Sequence, residues 1–383
     1  MLVDIDGRES LLGVSVILTP DRIDLYGNAM LPIVHNFERQ LIRLISRYLA
    51  DFYNADYHLY SFDEVNNRNR LMAEIEAIKS KTLTTLHDAL EDAISAAILE
   101  SVTQEGQVYQ EEWEAIPAYA IANARQTISS AMNNIGLDNQ PIQTALDTTM
   151  AELHLQREAG RPLHEALEPP LRKLVQDGAK ALTSEDDARI RALEAIVRAT
   201  TIKNAKGATI LISDLVADRM GFDLYQYSWH PGARPLHQRW QGRIFSRFPG
   251  HPRYEWYETG VNMPDGGLMA PNCRHSRMAL PSGSEPLFRS YSSPAPRELW
   301  PKLDAPKRFE GKRLYPHEAE ATMRRFEAET RRNHREKVGA IESGNMARVD
   351  ALDIMIERRL RRYEEISRVF SIPTQPARLF RLD

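Results

Sequence analysis

Leu224-Tyr225-Gln226-Tyr227-Ser228-Trp229, with Pro231-Gly232 just behind it, is the stretch on which the fold turns. Its residues alternate as in a half-buried strand, and Pro-Gly then reverses the chain. The strand stands at the entry to a region, Phe222–Pro316, that holds 13 of the 22 prolines and four of the five tryptophans. Proline lacks a backbone donor and breaks helices, so this region cannot be a helix bundle. A compact, loop-rich α+β unit with short strands is expected.

Both flanks read as helix. Upstream, Val34, Phe37, Leu41, Leu44, Ile45 and Tyr48 form one apolar stripe after a start signal at Thr19-Pro20, and Leu83, Leu86, Leu90, Ile94, Ala97 and Ile98 repeat the spacing. Ser184, followed by Glu185, Asp186 and Asp187, predicts the start of a third helix with its stripe at Ile190, Leu193 and Val197. Weaker helical stretches cover residues 111–134, 141–158 and 162–181. Downstream, Val349, Leu352, Ile356, Leu360, Tyr363, Ile366 and Phe370 mark an amphipathic closing helix. The fold class is therefore mainly α with a small α+β part. The expected order is an N-terminal extension (1–24), a long helical domain (25–222), the compact middle domain (223–283), a Pro-rich linker (284–316) and an Arg-rich helical tail (317–383).

Composition narrows the function classes. The 383 residues are 42% hydrophobic and 27% charged, which fits neither a membrane protein nor a disordered chain. The single cysteine, Cys273, excludes an internal disulfide framework and paired CxxC zinc ribbons. Asp4 and Asp6 precede the short apolar stretch Leu11–Leu18, the wrong order for a secretory signal, and no run is long enough to span a bilayer. The net charge of −4 conceals −13 over residues 1–200, +7 over 201–313 and +2 over 314–383. An acidic start and a basic middle suggest two surfaces for two partners, one of them a polyanion, with ordinary solvated helix faces as the alternative, because charge sums do not locate charges on a surface.

The helical part carries no Gly-rich phosphate loop, HExxH or nucleophile elbow. Glu111, Glu112 and Glu114 beside Trp113 point in different directions on a helix and read as a solvated face. His35, His87 and His154 are isolated and read as structural or exposed. In the tail, Arg358, Arg359, Arg361, Arg362 and Arg368 crowd the polar side of the closing helix, and Arg324, Arg325, Arg331, Arg332 and Arg335 do the same on the helix before it. Interspersed glutamates offer them partners, and lying along DNA phosphates is the alternative. Few aromatics stand among them, so base stacking is not suggested.

The middle segment carries the unusual chemistry. Ala233-Arg234-Pro235-Leu236-His237-Gln238-Arg239-Trp240-Gln241-Gly242 places His237 and Trp240 on one face of a helical turn, and Gly266-Gly267-Leu268-Met269-Ala270-Pro271-Asn272-Cys273-Arg274-His275-Ser276 follows. His237, Cys273 and His275 suit zinc by ligand type, with His230 or His251 as a fourth ligand, although the Cys–His spacing is unusual for zinc. A ββα-type metal nuclease would use His237, Asn272 and His275, but the acid or second histidine beside His237 is missing. Cys273 as a nucleophile lacks an evident orienting group. The fourth reading is a hydrogen-bonded staple in which Arg234, His237, Gln241, Asn272 and His275 cross-link loops around Trp229, Trp240 and Trp256. It requires no cofactor, and donor counting favours it.

The pair ARPLHQRWQGRIFS (Ala233–Ser246) and GLMAPNCRHS (Gly267–Ser276) resembles the signature of the tailed-phage minor capsid protein 2 family, related to the Mu F-like head-morphogenesis proteins. The resemblance is close over Tyr225–Gly283 and architectural elsewhere; Arg277-Met278-Ala279-Leu280-Pro281 departs from the aromatic and proline residues that the family tends to carry there. By position, Arg234, His237, Trp240, Gln241, Gly242, Asn272, Cys273, Arg274 and His275 are the motif residues, with no catalytic role attached. The resemblance implies a non-enzymatic minor head protein in several copies, associated with portal and capsid proteins and with non-specific double-stranded DNA. It also implies a place in the virion, at the capsid interior or portal vertex, after assembly in the bacterial cytoplasm. The rival class is a metal-dependent hydrolase, nuclease or toxin domain on a head-protein scaffold.

Overall fold

The computed structural model describes residues 20–54, 57–101, 115–137, 140–168, 171, 179–181, 191–230, 233, 237, 240–258, 273–284 and 305–380. Its helices are α1 (Pro20–Ala29), α2 (Leu31–Asn54), α3 (Tyr57–Ser101), α4 (Ala115–Asn133), α5 (Ile142–Glu158), α6 (Leu193–Met220), α7 (Pro316–Glu342) and α8 (Met346–Phe370). The strands are short and antiparallel: β1 (Ile135–Leu137), β2 (Gln140–Pro141), β3 (Lys180–Ala181), β4 (Arg191–Ala192), β5 (Leu224–Tyr227), β6 (Ile244–Ser246), β7 (Arg277–Leu280), β8 (Lys307–Phe309) and β9 (Lys312–Leu314). The protein is mainly α with a small α+β part. Two compact units are each gathered from three separated stretches. One comprises Met1–Gly27, Leu90–Arg125 and Ala199–Glu320; the other comprises Asn28–Ala89, Gln126–Arg198 and Ala321–Asp383.

In the second unit the apolar stripes become the core. Val34, Phe37, Leu41, Ile45 and Tyr48 of α2 are buried, as are Val349, Leu352, Ile356, Tyr363, Ile366 and Phe370 of α8. Leu44 and Leu360 are only half-buried. Asn345 caps α8 by accepting from the Arg348 amide at 3.1 Å, and Gly344, at φ 74°, makes the left-handed step between α7 and α8. The helix signalled at Ser184 begins later than expected. Residues 182–190 lie outside the described ones, and Arg191–Ala192 pair with β3 in the sheet β2-β1-β3-β4. Their backbone groups serve a ladder, so α6 starts at Leu193.

Two arginines assigned to a polar face point inward instead. Arg335 of α7, 7% exposed, donates through Nη1 to Glu38 Oε2 of α2 at 3.2 Å, and Glu38, 2% exposed, also accepts from the Ala179 amide at 3.0 Å. Arg331 pairs at 2.8 Å with Glu194, which also faces His35 at 3.5 Å. Burial pushes the Glu194 carboxyl up, but the His35 hydrogen bond and Arg331 outweigh it and hold the group below its ordinary range. Tyr363 donates to Glu327 at 2.8 Å, and Arg378 donates to Asn28 Oδ1 at 3.0 Å. The periodicity of α7 gave these arginines a helical face; only the carboxylates on α2 and α6 turn that face into an interior one.

In the first unit, β5 is the middle strand of the sheet β6-β5-β7. Its alternating residues predict one buried face, yet all four are buried. Leu224 packs with Ile244, Met278 and Leu280, Tyr225 with Ala217 of α6 and Ala279, and Tyr227 with Phe245. The polar Gln226 tolerates burial because its Nε2 donates to the Gly242 carbonyl at 3.0 Å. Tyr225 donates to Asp214 at 2.6 Å beneath the Arg277 guanidinium, which lies 4.3 Å from the ring centroid.

Removing Glu38 takes from the buried Arg335 guanidinium its carboxylate partner at 3.2 Å, and Glu194 is the other carboxylate that it acts on. Glu38→Ala should cost about 3–5 kcal/mol in chemical denaturation, while Glu38→Met combined with Arg335→Met should recover most of that loss.

Candidate functional site

The motif residues of the first unit meet at the end of β5. Beyond the strand, Ser228 and Ser276 continue the pairing: the Ser228 amide donates to the Ser276 carbonyl at 2.9 Å, and the Ser276 amide donates to Ser228 Oγ at 3.0 Å. This draws residues 273–276 alongside 228–230. His237 begins a helical turn, with the amides of Trp240 and Gln241 both donating to its carbonyl at 3.0 Å. Gly242, at φ 70°, then makes the left-handed step into β6 that a side chain would strain.

Within this frame Cys273 Sγ lies 3.3 Å from His275 Nδ1 and 3.9 Å from His237 Nδ1. All three side chains are buried: Cys273 is 3% exposed, His275 1% and His237 6%. Gln241 fixes the tautomer of His275. Its Oε1 accepts from the His230 amide at 3.1 Å and lies 3.1 Å from His275 Nε2, so Nε2 carries the proton and Nδ1 presents its lone pair to the sulfur. Burial, and after it the neighbouring His230 and His237, hold the His275 imidazole well below its ordinary pKa and therefore neutral. Lys206 of α6 donates to the Cys273 carbonyl at 3.0 Å; burial lowers its ammonium pKa and the nearby Cys273 opposes that shift.

Arg274, between the two ligand-type residues, faces elsewhere. Its Nη1 lies 3.2 Å from Asp24 of α1, and its Nη2 lies 2.5 Å from Glu320 of α7 and 3.3 Å from His230 Nδ1. Trp240 packs on Phe245 and Tyr227 under the Arg243 guanidinium, 5.2 Å from its ring centroid. His237, Trp240, Gln241, Gly242, Cys273, Arg274 and His275 thus share one neighbourhood, while Arg234 and Asn272 lie outside the described residues. His251 is not near the cluster's chemistry: its Nδ1 accepts from the Arg253 and Tyr254 amides at 3.1 and 3.0 Å. Glu111, Glu112 and Glu114 are also outside the described residues. His35 faces Glu194, His87 Nε2 lies 3.1 Å from Ser129 Oγ, and His154 pairs at 3.2 Å with Glu158.

The sequence missed Lys206, Asp24 and Glu320. A lone lysine in the apolar and small-residue run Ala205–Ser213 was a usable signal for the first; nothing marked the other two among the many acids of the chain. In the tail, Arg358, Arg361 and Arg368 are exposed, whereas Arg359 pairs with Glu329 at 2.9 Å and Arg362 lies 4.9 Å from the Phe326 ring centroid.

A sequence profile described as phage minor capsid protein 2 matches residues 18–363, most of the chain. The chain belongs to that family. It is a structural protein of the phage head, a component of the virion that assembles with other phage structural proteins. The family match extends well beyond the motif pair into the helical parts on both sides. No curated protein and no solved structure matches the chain. Among the described residues no helix is long and apolar enough to cross a membrane.

Arg274→Met should leave the carboxylates of Asp24 and Glu320 without their shared cation inside the unit. A loss of about 3–5 kcal/mol is expected from a thermal or denaturant unfolding curve, because Asp24 is only 2% exposed.

Proposed function

We propose that this minor head protein works at the portal vertex, where it takes part in head assembly and in packaging or delivery of DNA. Membership of the minor capsid protein 2 family carries the reading. The charge division supports two kinds of contact: the acidic first 200 residues dock on portal and capsid proteins, and basic surfaces face nucleic acid. On α8, Arg358, Arg361 and Arg368 are the exposed cations for binding phosphates. Arg361 has an exposed partner, Glu357 at 3.5 Å, an i,i+4 pair weak enough for a phosphate to replace. Such arginines position a duplex without reading its sequence. The role is non-enzymatic: burial of His237, Cys273 and His275 suits a cluster that holds the unit together better than one that turns over substrate.

Quantitative mass spectrometry of DNA-filled particles should give a low, fixed ratio of this protein to portal subunits, and the purified chain should bind reconstituted portal. Complete particles without the protein, together with no portal binding, would remove the portal-vertex reading. Binding to duplex DNA should weaken steeply with salt and show little sequence preference. Replacing Arg358, Arg361 and Arg368 with alanine should lower the slope of log affinity against log salt by about 0.9 for each phosphate that is no longer neutralised; an unchanged slope would place the DNA-binding surface elsewhere.

A further inference from the structure

His237 and the Cys273–His275 pair come from segments far apart in sequence, and Cys273 has no second cysteine with which to form a disulfide. Their three ligand atoms lie within 4.8 Å of one another, and among the described residues this is the one group of histidine, cysteine or acid side chains gathered closely enough to hold a metal ion. We infer that His237, Cys273 and His275 are three ligands of a zinc ion that ties the turn at His237 to the segment entering β7.

Geometry is the first support. A tetrahedral zinc with sulfur at about 2.3 Å and nitrogen at about 2.05 Å sets its sulfur and nitrogen ligands about 3.6 Å apart. The observed separations of 3.3 and 3.9 Å fall on either side of that value. Orientation is the second. A ligating histidine characteristically donates its other ring N–H to a fixed acceptor, and Gln241 Oε1, itself fixed by the His230 amide, provides that acceptor for His275. The donor set is the third, because one thiolate with two neutral imidazoles suits zinc, whereas magnesium and calcium require oxygen. Binding releases the Cys273 thiol proton to solvent. Burial gives the ion a structural task, cross-linking the turn at His237 to the segment that leads into β7.

The rival is a metal-free cluster. In it the Cys273 thiol donates to His275 Nδ1, or a Cys273 thiolate is balanced by the Lys206 ammonium.

Full-length protein, purified without chelator and assayed for metals by inductively coupled plasma mass spectrometry, should carry one zinc per chain, and stripping the zinc should lower its Tm. Cobalt(II) added to the stripped protein should give the visible bands of a tetrahedral site and a sulfur-to-cobalt charge-transfer band. Cys273 is the only thiol, so that band identifies the ligand even if variants fold poorly. Cys273→Ser should abolish it, and Gln241→Met, which keeps all three ligands, should weaken zinc binding about 10–100-fold. Folded wild-type protein that takes up neither metal would overturn the inference, as would a charge-transfer band that persists in folded Cys273→Ser.

Discussion

The motif-bearing unit depends on the register of β5 against β7. Four residues, Leu224–Tyr227, pair on both edges and are buried on both faces, and the same register continues through Ser228 and Ser276. In an extended segment side chains alternate, so Cys273 and His275 turn together toward His237 while Arg274 turns toward Asp24 and Glu320. A slip of one residue would exchange the two sets and place a guanidinium among the imidazoles. The Cys-Arg-His triplet is therefore a statement of strand geometry: two residues for one side, one for the other.

The location of the signature residues bears on how the protein meets other molecules. Of the described ones, His237, Gln241, Cys273 and His275 are interior residues held by interactions within their own unit, and they mark how that unit is built rather than what it touches. In the function proposed above, partner recognition belongs to the exposed faces of the helices. Helical surfaces of this kind vary in charge without disturbing a core, so one internal scaffold can serve different head partners.

Features of the fold were legible in the sequence in proportion to how locally they are determined. The stripes of α2, α3 and α8 needed only their 3.6-residue period, and the turn at His237–Trp240 needed only its spacing. What depended on distant residues was not legible. Arg331 and Arg335 look like surface cations until Glu194 and Glu38 are brought to them. Arg191–Ala192 look helical until β3 claims their backbone, and β5 looks half-buried until α6 covers its second face. The convergence of His237 with Cys273 and His275 was open from residue types alone, but only Gln241, holding one imidazole nitrogen as a donor, says which atoms face one another.

Each unit closes with residues made both early and late. Asp24 waits for Arg274 and Glu320, and Glu38 waits for Ala179 and Arg335. Pairings of such sequence separation carry a large loop-closure cost and form slowly. On the ribosome the first unit cannot close before Glu320 has emerged, nor the second before Arg335. Completion of each unit is thus tied to residues synthesised late, because the carboxylates made first find their cations only there.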